Sequence, residues 1–322
     1  MTEQRPLFSV VVPTFRRSAQ LAACLDALAR QEFARERFEA IVVNDGGPEP
    51  REALARLEGR LDVVLITQAH AGPAAARNAG ARRARGRFLA FTDDDCAPDP
   101  AWLKALEARL TKAPEHAVGG RTVNALPRNL FSTASQSLTE YLYEYFDADA
   151  GRAAFFASNN LALPSELFAA VGGFDESFPL AAGEDRELCD RWRARGYELT
   201  YAPEAVVRHA HALTLRSFWR QHFNYGRSAV HFRRARAGRG GGAVRVEPAD
   251  FYARMLRHPF AREPRLRASL VSALIVVSQA ANAAGFFRER LRARPGVARK
   301  INKGGQDVQG KGMMNDERGM MN

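Results

Sequence analysis

Cysteine is scarce in this chain, and Cys24, Cys96 and Cys189 lie far apart with no metal-ligand spacing. That excludes a disulfide framework and points to reduced thiols in a cytosolic setting, with all three expected in or near the core. An apolar leader is also missing, because residues 1–6 are polar, and no direction for secretion is expected. Acidic side chains are in deficit, 36 Asp and Glu against 47 Lys and Arg, which leaves a formal charge of +11. Such a surplus favours phosphate-bearing partners such as nucleotides, nucleic acid or anionic lipid, without choosing among them. What the chain does have is 322 residues at 46% hydrophobic content, enough for one large core or two modest ones, so disorder is not expected.

From Phe8 onward, short β-branched runs alternate with helical patterns, the order that produces a parallel sheet covered by helices. Strands are predicted over 8–12, 39–43, 62–67 and 87–92. The first helix carries Leu21, Cys24, Leu25 and Leu28 on one face with Ser18 as N-cap, and another is expected at Pro100 with Asp99 as N-cap. Further helices are predicted over 132–146, over 165–171 with Gly172 and Gly173 closing it, and over 187–195 with Gly196 ending it. Residues 268–287 carry no charge and match the length of a bilayer span, yet hold Gln279 and Asn282 and have arginines on both flanks. That segment fits a helix at an anionic membrane surface, a helix crossing the membrane, or one packed on the catalytic domain or a second subunit. Residues 236–242, rich in glycine and arginine, and the tail 303–322 read as flexible.

The most specific local feature is Asp93, Asp94 and Asp95 directly after an apolar strand. Adjacent carboxylates repel, so such a turn calls for a compensating cation, and a hard divalent ion such as Mg2+ or Mn2+ prefers oxygen ligands shared with substrate phosphates. In open α/β sheets ligands bind beyond the carboxyl ends of the strands, where these residues fall. A solvated acidic turn is the plain alternative. A second turn, Asn44, Asp45, Gly46 and Gly47, offers a carboxylate for a base or ribose where the glycines allow close approach, although such residues also make ordinary turns. In the stretch 72–80, Arg77 can pair with phosphate or with the Asp turn; taken alone it reads as a surface ion pair. Glu184 and Asp185 stand before a helix bearing Leu188, Cys189 and Trp192, and are either caps or a general base for an incoming hydroxyl. His209 and His211 follow a strand-like run; a lone histidine is more often a structural or surface residue, and the alternative is a ligand that completes an oxygen-rich metal site. Trp219, Phe223 and Tyr225, interleaved with Arg216, Arg220 and Arg227, line an acceptor groove in one reading, and simple core packing is preferred.

Taken in order and spacing, residues 8–17, 44–47, 72–80, 93–95, 172–176, 184–195 and 209 closely resemble glycosyltransferase family 2, over about two thirds of the chain. The resemblance implies a GT-A fold, α/β with a mixed, mainly parallel sheet flanked by helices, and a helical C-terminal extension. It divides the chain into a catalytic domain over 1–235, a linker over 236–247, helices over 248–300 and a tail over 301–322. It implies a nucleotide diphosphate sugar donor, a carbohydrate or lipid-linked acceptor, a divalent metal, and inversion at the anomeric carbon. Pro13, Thr14, Phe15, Arg16, Asp45, Arg77, Asp93 and Asp94 would bind the nucleotide sugar. Asp95, Asp93 and His209 would hold the metal, while Asp185 would be the base with Glu184 orienting it or the acceptor. Asn44 stands where many relatives carry another Asp, and Leu188 replaces the first residue of the pattern that processive synthases place before Arg191 and Trp192. A single-transfer enzyme is therefore expected, cytoplasmic and in peripheral contact with anionic membrane. Phe174 and Asp175 are candidates for shaping the donor pocket, with a buried aromatic as the alternative for Phe174.

Two rival readings are weighed. A nucleotidyltransferase would carry a Gly-rich basic loop after the first strand, and residues 13–17 contain no glycine. A non-catalytic binder of nucleic acid or membrane has no need of three adjacent aspartates, and no nucleic-acid partner is expected.

Overall fold

The computed structural model describes residues 5–147, 155–178, 182–242 and 246–292. Its strands are β1 (Phe8–Thr14), β2 (Phe38–Asp45), β3 (Val63–Gln68), β4 (Phe88–Phe91), β5 (Cys96–Pro98), β6 (Ala117–Asn124), β7 (Leu161–Pro164) and β8 (Leu199–His209). The helices are α1 (Ser18–Leu28), α2 (Arg51–Ala55), α3 (Pro73–Arg83), α4 (Trp102–Lys112), α5 (Leu130–Asp147), α6 (Ser165–Val171), α7 (Glu184–Ala194), α8 (Leu215–Gly238), α9 (Ala249–Arg257) and α10 (Arg265–Arg292). All eight strands join one sheet in the order β3-β2-β1-β4-β7-β6-β8-β5. β3, β2, β1 and β4 run parallel, with Val10 opposite Ala40 and Ala90; β7 then pairs antiparallel with β4 and β6, and β5 antiparallel with β8.

Because successive side chains point to opposite faces, the apolar strands feed two cores. Phe8, Val10 and Val12 pack with Leu21, Leu25, Trp102 and Leu106 under α1 and α4. Val11, Ile41, Val43 and Phe91 pack on the other face with Phe168, Phe174 and Trp192. A third cluster, with Tyr141, Phe218, Phe251 and Ile275, is built almost wholly from α5, α8, α9 and α10. Cys24, Cys96 and Cys189 are buried free thiols, as the sequence implies.

Several helix boundaries differ from expectation. Ser18 is the first residue of α1 rather than its cap, and α4 starts at Trp102. The expected cap Asp99 instead gives its carboxylate to Arg208, at 2.8 Å. Helix α7 begins at Glu184, three residues before the expected start, so the acidic pair lies inside its first turn. Helix α8 runs to Gly238, into the stretch read as flexible, and Arg236 and Arg239 are anchored there on Asp190. The tail 303–322 and residues 293–300 lie outside the described residues.

Helix α10 buries Ala268, Val271, Ile275, Ser278, Ala281 and Gly285, spaced as one helical face. Its crossing with α8 is close because both partners are glycine. A Cβ on Gly226 would come within 1.8 Å of the Asn282 carbonyl oxygen, and one on Gly285 within 1.9 Å of that of Phe223. This is the packed-helix alternative for the charge-free run. The opposite face leaves Leu266, Leu270, Val276, Phe287 and Leu291 exposed.

Candidate active site

The connection from β1 goes to β2 on one side of the sheet, while β4 lies on its other side, and the crevice at their carboxyl ends is where α/β proteins bind ligands. A cleft of ≈ 1510 Å3 opens there. Pro13, Thr14, Phe15, Asp45, Arg77, Asp93, Asp94, Asp95, Glu184, Asp185 and His209 all line it. Of the residues expected to bind donor or metal or to act as base, Arg16 is absent from the wall, as are the pocket-shaping candidates Phe174 and Asp175; Arg16 adopts φ 58° and lies against the Phe15 ring at 5.1 Å.

Its neighbour Arg17, which the motif reading passed over, bonds Asp94 at 3.2 Å and Asp95 at 3.1 Å. Thr14 donates to Asp94 at 2.8 Å. Asp94 is nonetheless pushed up to about 6, because burial outweighs the Thr14 bond and the Arg17 charge. Burial would raise Asp95 too, but the bond from His209 Nε2 at 3.1 Å and the charges of His209 and Arg17 outweigh it and hold Asp95 at about 2. His209 is raised in return, since Asp95 overcomes the desolvation that opposes its charge. Asp95, Cys96 and His209 lie close enough to share a cation. Burial keeps the Cys96 thiol protonated, well above its ordinary range, so it is a poor ligand. The remaining donors, carboxylate oxygens and one imidazole, fit Mn2+ or Mg2+.

Arg77 is buried, not a surface residue as its motif alone implied. It bonds Asp93 at 2.7 Å and Glu184, 107 positions along the chain, at 3.0 Å, and so joins the β4 turn to the start of α7. Burial opposes its charge, and the two carboxylates more than restore it. Beneath it lies the ring of Phe174, at 5.6 Å. Phe174 is itself buried and is not part of the cleft wall, so the buried-aromatic alternative holds. Glu184 Oε2 is buried without a partner, and burial followed by the charge of Asp185 pushes Glu184 up to about 7. Asp185 is raised as well, chiefly by burial, although Arg186 N–H donates to it at 2.7 Å. Gly183, at φ 85°, takes the left-handed conformation that turns the chain into α7 and sets this pair at the cleft.

Asp45 accepts from the N–H groups of Ala71 and Gly72 and from Gln68, and pairs with His70 at 2.9 Å. Its carboxylate is thus largely committed to fixing the loop before α3. His70 stacks on Phe15 with centroids 4.3 Å apart, a flat wall that no motif marked. Asn44 closes its own turn by bonding Gly47. Arg191 pairs with Glu187 and donates to the Val171 and Gly173 carbonyls, and Trp192 is buried, so that pair holds α7 on α6. On α8 the preferred core reading fails for two aromatics. Trp219 and Tyr225 are exposed, and Tyr225 lines the cleft, while Phe218 and His222 are the buried ones. Both nitrogens of His222 lack partners, and burial drives it down to about 4, hence neutral at pH 7.

The sheet order and the helices on both faces define a GT-A fold, with a carboxylate-lined switch point. The mannosyltransferase PcManGT from Pyrobaculum calidifontis, solved with GDP-Man and Mn2+, has a similar fold, with TM-score 0.63, 20% identity and coverage of 90% of this chain and 89% of that one. S. aureus TarS 1–349 aligns with TM-score 0.51 and 16% identity over 90% of this chain and 91% of that one. Residues 9–168 match the model of glycosyl transferase family 2, and residues 89–283 that of glycosyl transferase family group 2. The chain belongs to glycosyl transferase family 2. Among curated relatives, validoxylamine A glucosyltransferase of Streptomyces hygroscopicus subsp. jinggangensis is 33% identical over 233 residues, 63% of this chain and 55% of that protein. Glycosyltransferase AglE of Haloferax volcanii is 26% identical over 213 residues, 65% of this chain and 68% of that protein. The chain spans about half the length of several relatives it matches.

Proposed function

We propose that this glycosyltransferase moves a single sugar from a nucleotide diphosphate donor to an acceptor hydroxyl by one inverting displacement. The observation that carries this reading is the shared cleft: Asp95 and Asp185 line the same cavity, tied through the Asp93–Arg77–Glu184 bridge. Asp185 takes the proton of the acceptor hydroxyl as that oxygen bonds to the anomeric carbon, and the bond to the diphosphate breaks with its electron pair leaving on phosphate oxygen. Glu184, fixed by Arg77, keeps the first turn of α7 in place. Asp95 and His209, with Asp93 beside them, would hold Mg2+ or Mn2+, which when bound neutralises the departing diphosphate as a Lewis acid. The GDP-Man and Mn2+ in the Pyrobaculum protein support that choice of donor and metal. Phe15 stacked on His70 offers the nucleoside a flat surface, and Thr14, Asp45 and Asp94 shape its surroundings.

In this reading residues 1–235 carry the transfer chemistry, and helices α9 and α10 complete the acceptor side. The exposed apolar face of α10, flanked by Arg265, Arg288 and Arg292, would rest against anionic lipid on the cytoplasmic side, consistent with cell-surface polysaccharide or glycolipid synthesis. The test is a panel of nucleotide sugars incubated with purified protein and Mn2+, with products separated by chromatography. Nucleoside diphosphate and free sugar, formed only with metal, are expected. Pyrophosphate release, or no metal-dependent turnover of any donor, would overturn the reading.

A further inference from the structure

The acceptor end of the cleft is walled by α7, α8 and α10, and four arginines of these helices line the cleft: Arg186, Arg220, Arg233 and Arg290. None has a carboxylate within ion-pair distance among the described residues. Other arginines on these helices do. Arg191 pairs with Glu187, Arg227 with Glu289, and Arg236 and Arg239 with Asp190. Arg186 lies between two rings, 5.4 Å from Phe155 and 5.3 Å from Phe232, and Arg233 sits 4.7 Å over Phe286. Aromatic faces hold a guanidinium in place while leaving its N–H edge free to donate.

Although protein atoms crowd Arg186, its side chain remains exposed to the cleft. Burial lowers its pKa, Arg233 adds to that effect, and Asp185, Asp190 and Glu247 oppose it only from a distance. Arg186 and Asp185 both line the cleft from the first turn of α7, so an anion bound to Arg186 shares the cavity with the group that receives the proton. Planar N–H forks of this kind match the paired oxygens of phosphate or carboxylate.

From this we infer that the acceptor carries an oxyanion, phosphate or carboxylate, which Arg186 and Arg233 bind beside Asp185. This rests on the transfer reading above and names a chemical feature of its second substrate. The apolar side chains nearby, Phe232, Phe286 and Phe287, suit a hydrocarbon portion attached to that anion.

The test is calorimetric titration of the full chain in the presence of Mn2+ and saturating UDP or GDP, so that diphosphate-binding positions on the donor side are filled. Hexyl phosphate, hexanoate, hexanol and inorganic phosphate serve as probes. Hexyl phosphate or hexanoate binding well above hexanol is expected, and whichever anion binds more tightly identifies the group. Arg186→Gln and Arg233→Gln should each weaken that binding by about tenfold or more. Arg216→Gln, which removes an exposed arginine of α8 outside the cleft, should leave it unchanged, and thermal melting of every variant reports folding. Equal binding of hexanol, or losses in Arg186→Gln and Arg233→Gln no greater than in Arg216→Gln, would overturn the inference. Inorganic phosphate binding as tightly as hexyl phosphate would assign the site to a free anion and overturn its assignment to an acceptor. The donor screen reads the other half of the cleft, so either result can fail alone.

Discussion

On the side of the cleft proposed for the donor, Arg17 and Arg77 each touch two carboxylates, whereas on the side proposed for the acceptor the side chains of Arg186 and Arg233 rest on aromatic rings and touch no carboxylate among the described residues. The first pair neutralises charge the fold itself has concentrated, so the Asp turn and the first turn of α7 hold their geometry before any ligand arrives. The second pair concentrates positive charge that the fold leaves for something else to neutralise. One half of the cleft is assembled from internal ion pairs, and the other is prepared for an external one.

The contrast is sharpest in stability. Arg77→Met strands Glu184 in a buried setting and leaves the half-buried Asp93 without its partner, and loss of one partner from a buried pair costs about 3–5 kcal/mol. Arg186→Gln strands no carboxylate and gives up two ring contacts, so it should cost no more than about 1–2 kcal/mol. Urea unfolding of both variants against wild type measures this. Equal losses would break the distinction, because they would make Arg186 part of the structural ion-pair network.

A smaller effect concerns pH. Asp185 and Glu184 are both raised above the ordinary carboxylate range, Glu184 to about 7. A base acts only when deprotonated, so turnover should decline as pH falls along a limb displaced above the ordinary carboxylate range. A pH profile of kcat/KM with its acid limb near pH 4 would show that burial does not govern this pair during catalysis.

Much of this arrangement is legible in the sequence where the signal is local. The Asp93 to Asp95 run, the apolar strands with both faces covered and the glycine stop after α6 each depend on neighbours within a few residues. The misreadings fall where partners are remote. Arg77 resembles a surface residue until α7 brings Glu184 against it, and Asp99 resembles a cap until β8 brings Arg208 within reach. Arg16 and Arg17 are indistinguishable in the sequence, and it is Arg17 that lines the cleft, next to the left-handed backbone at Arg16. On α8, periodicity finds a buried stripe without fixing its phase, so Phe218 and His222 take the interior in place of Trp219 and Tyr225. The unpaired arginines leave no sequence signal at all, since a missing partner can be recognised only in three dimensions.

The central claim is that one cleft combines a metal-linked donor site at Asp95 with a base at Asp185. It is tested most directly by measuring donor binding and turnover together in Asp95→Asn and Asp185→Asn, with and without Mn2+. The account predicts that Asp95→Asn loses the metal-dependent part of donor binding, while Asp185→Asn binds donor as wild type does and turns over about 10²–10⁴-fold more slowly. Wild-type turnover in Asp185→Asn, or undiminished metal-dependent binding in Asp95→Asn, would contradict it.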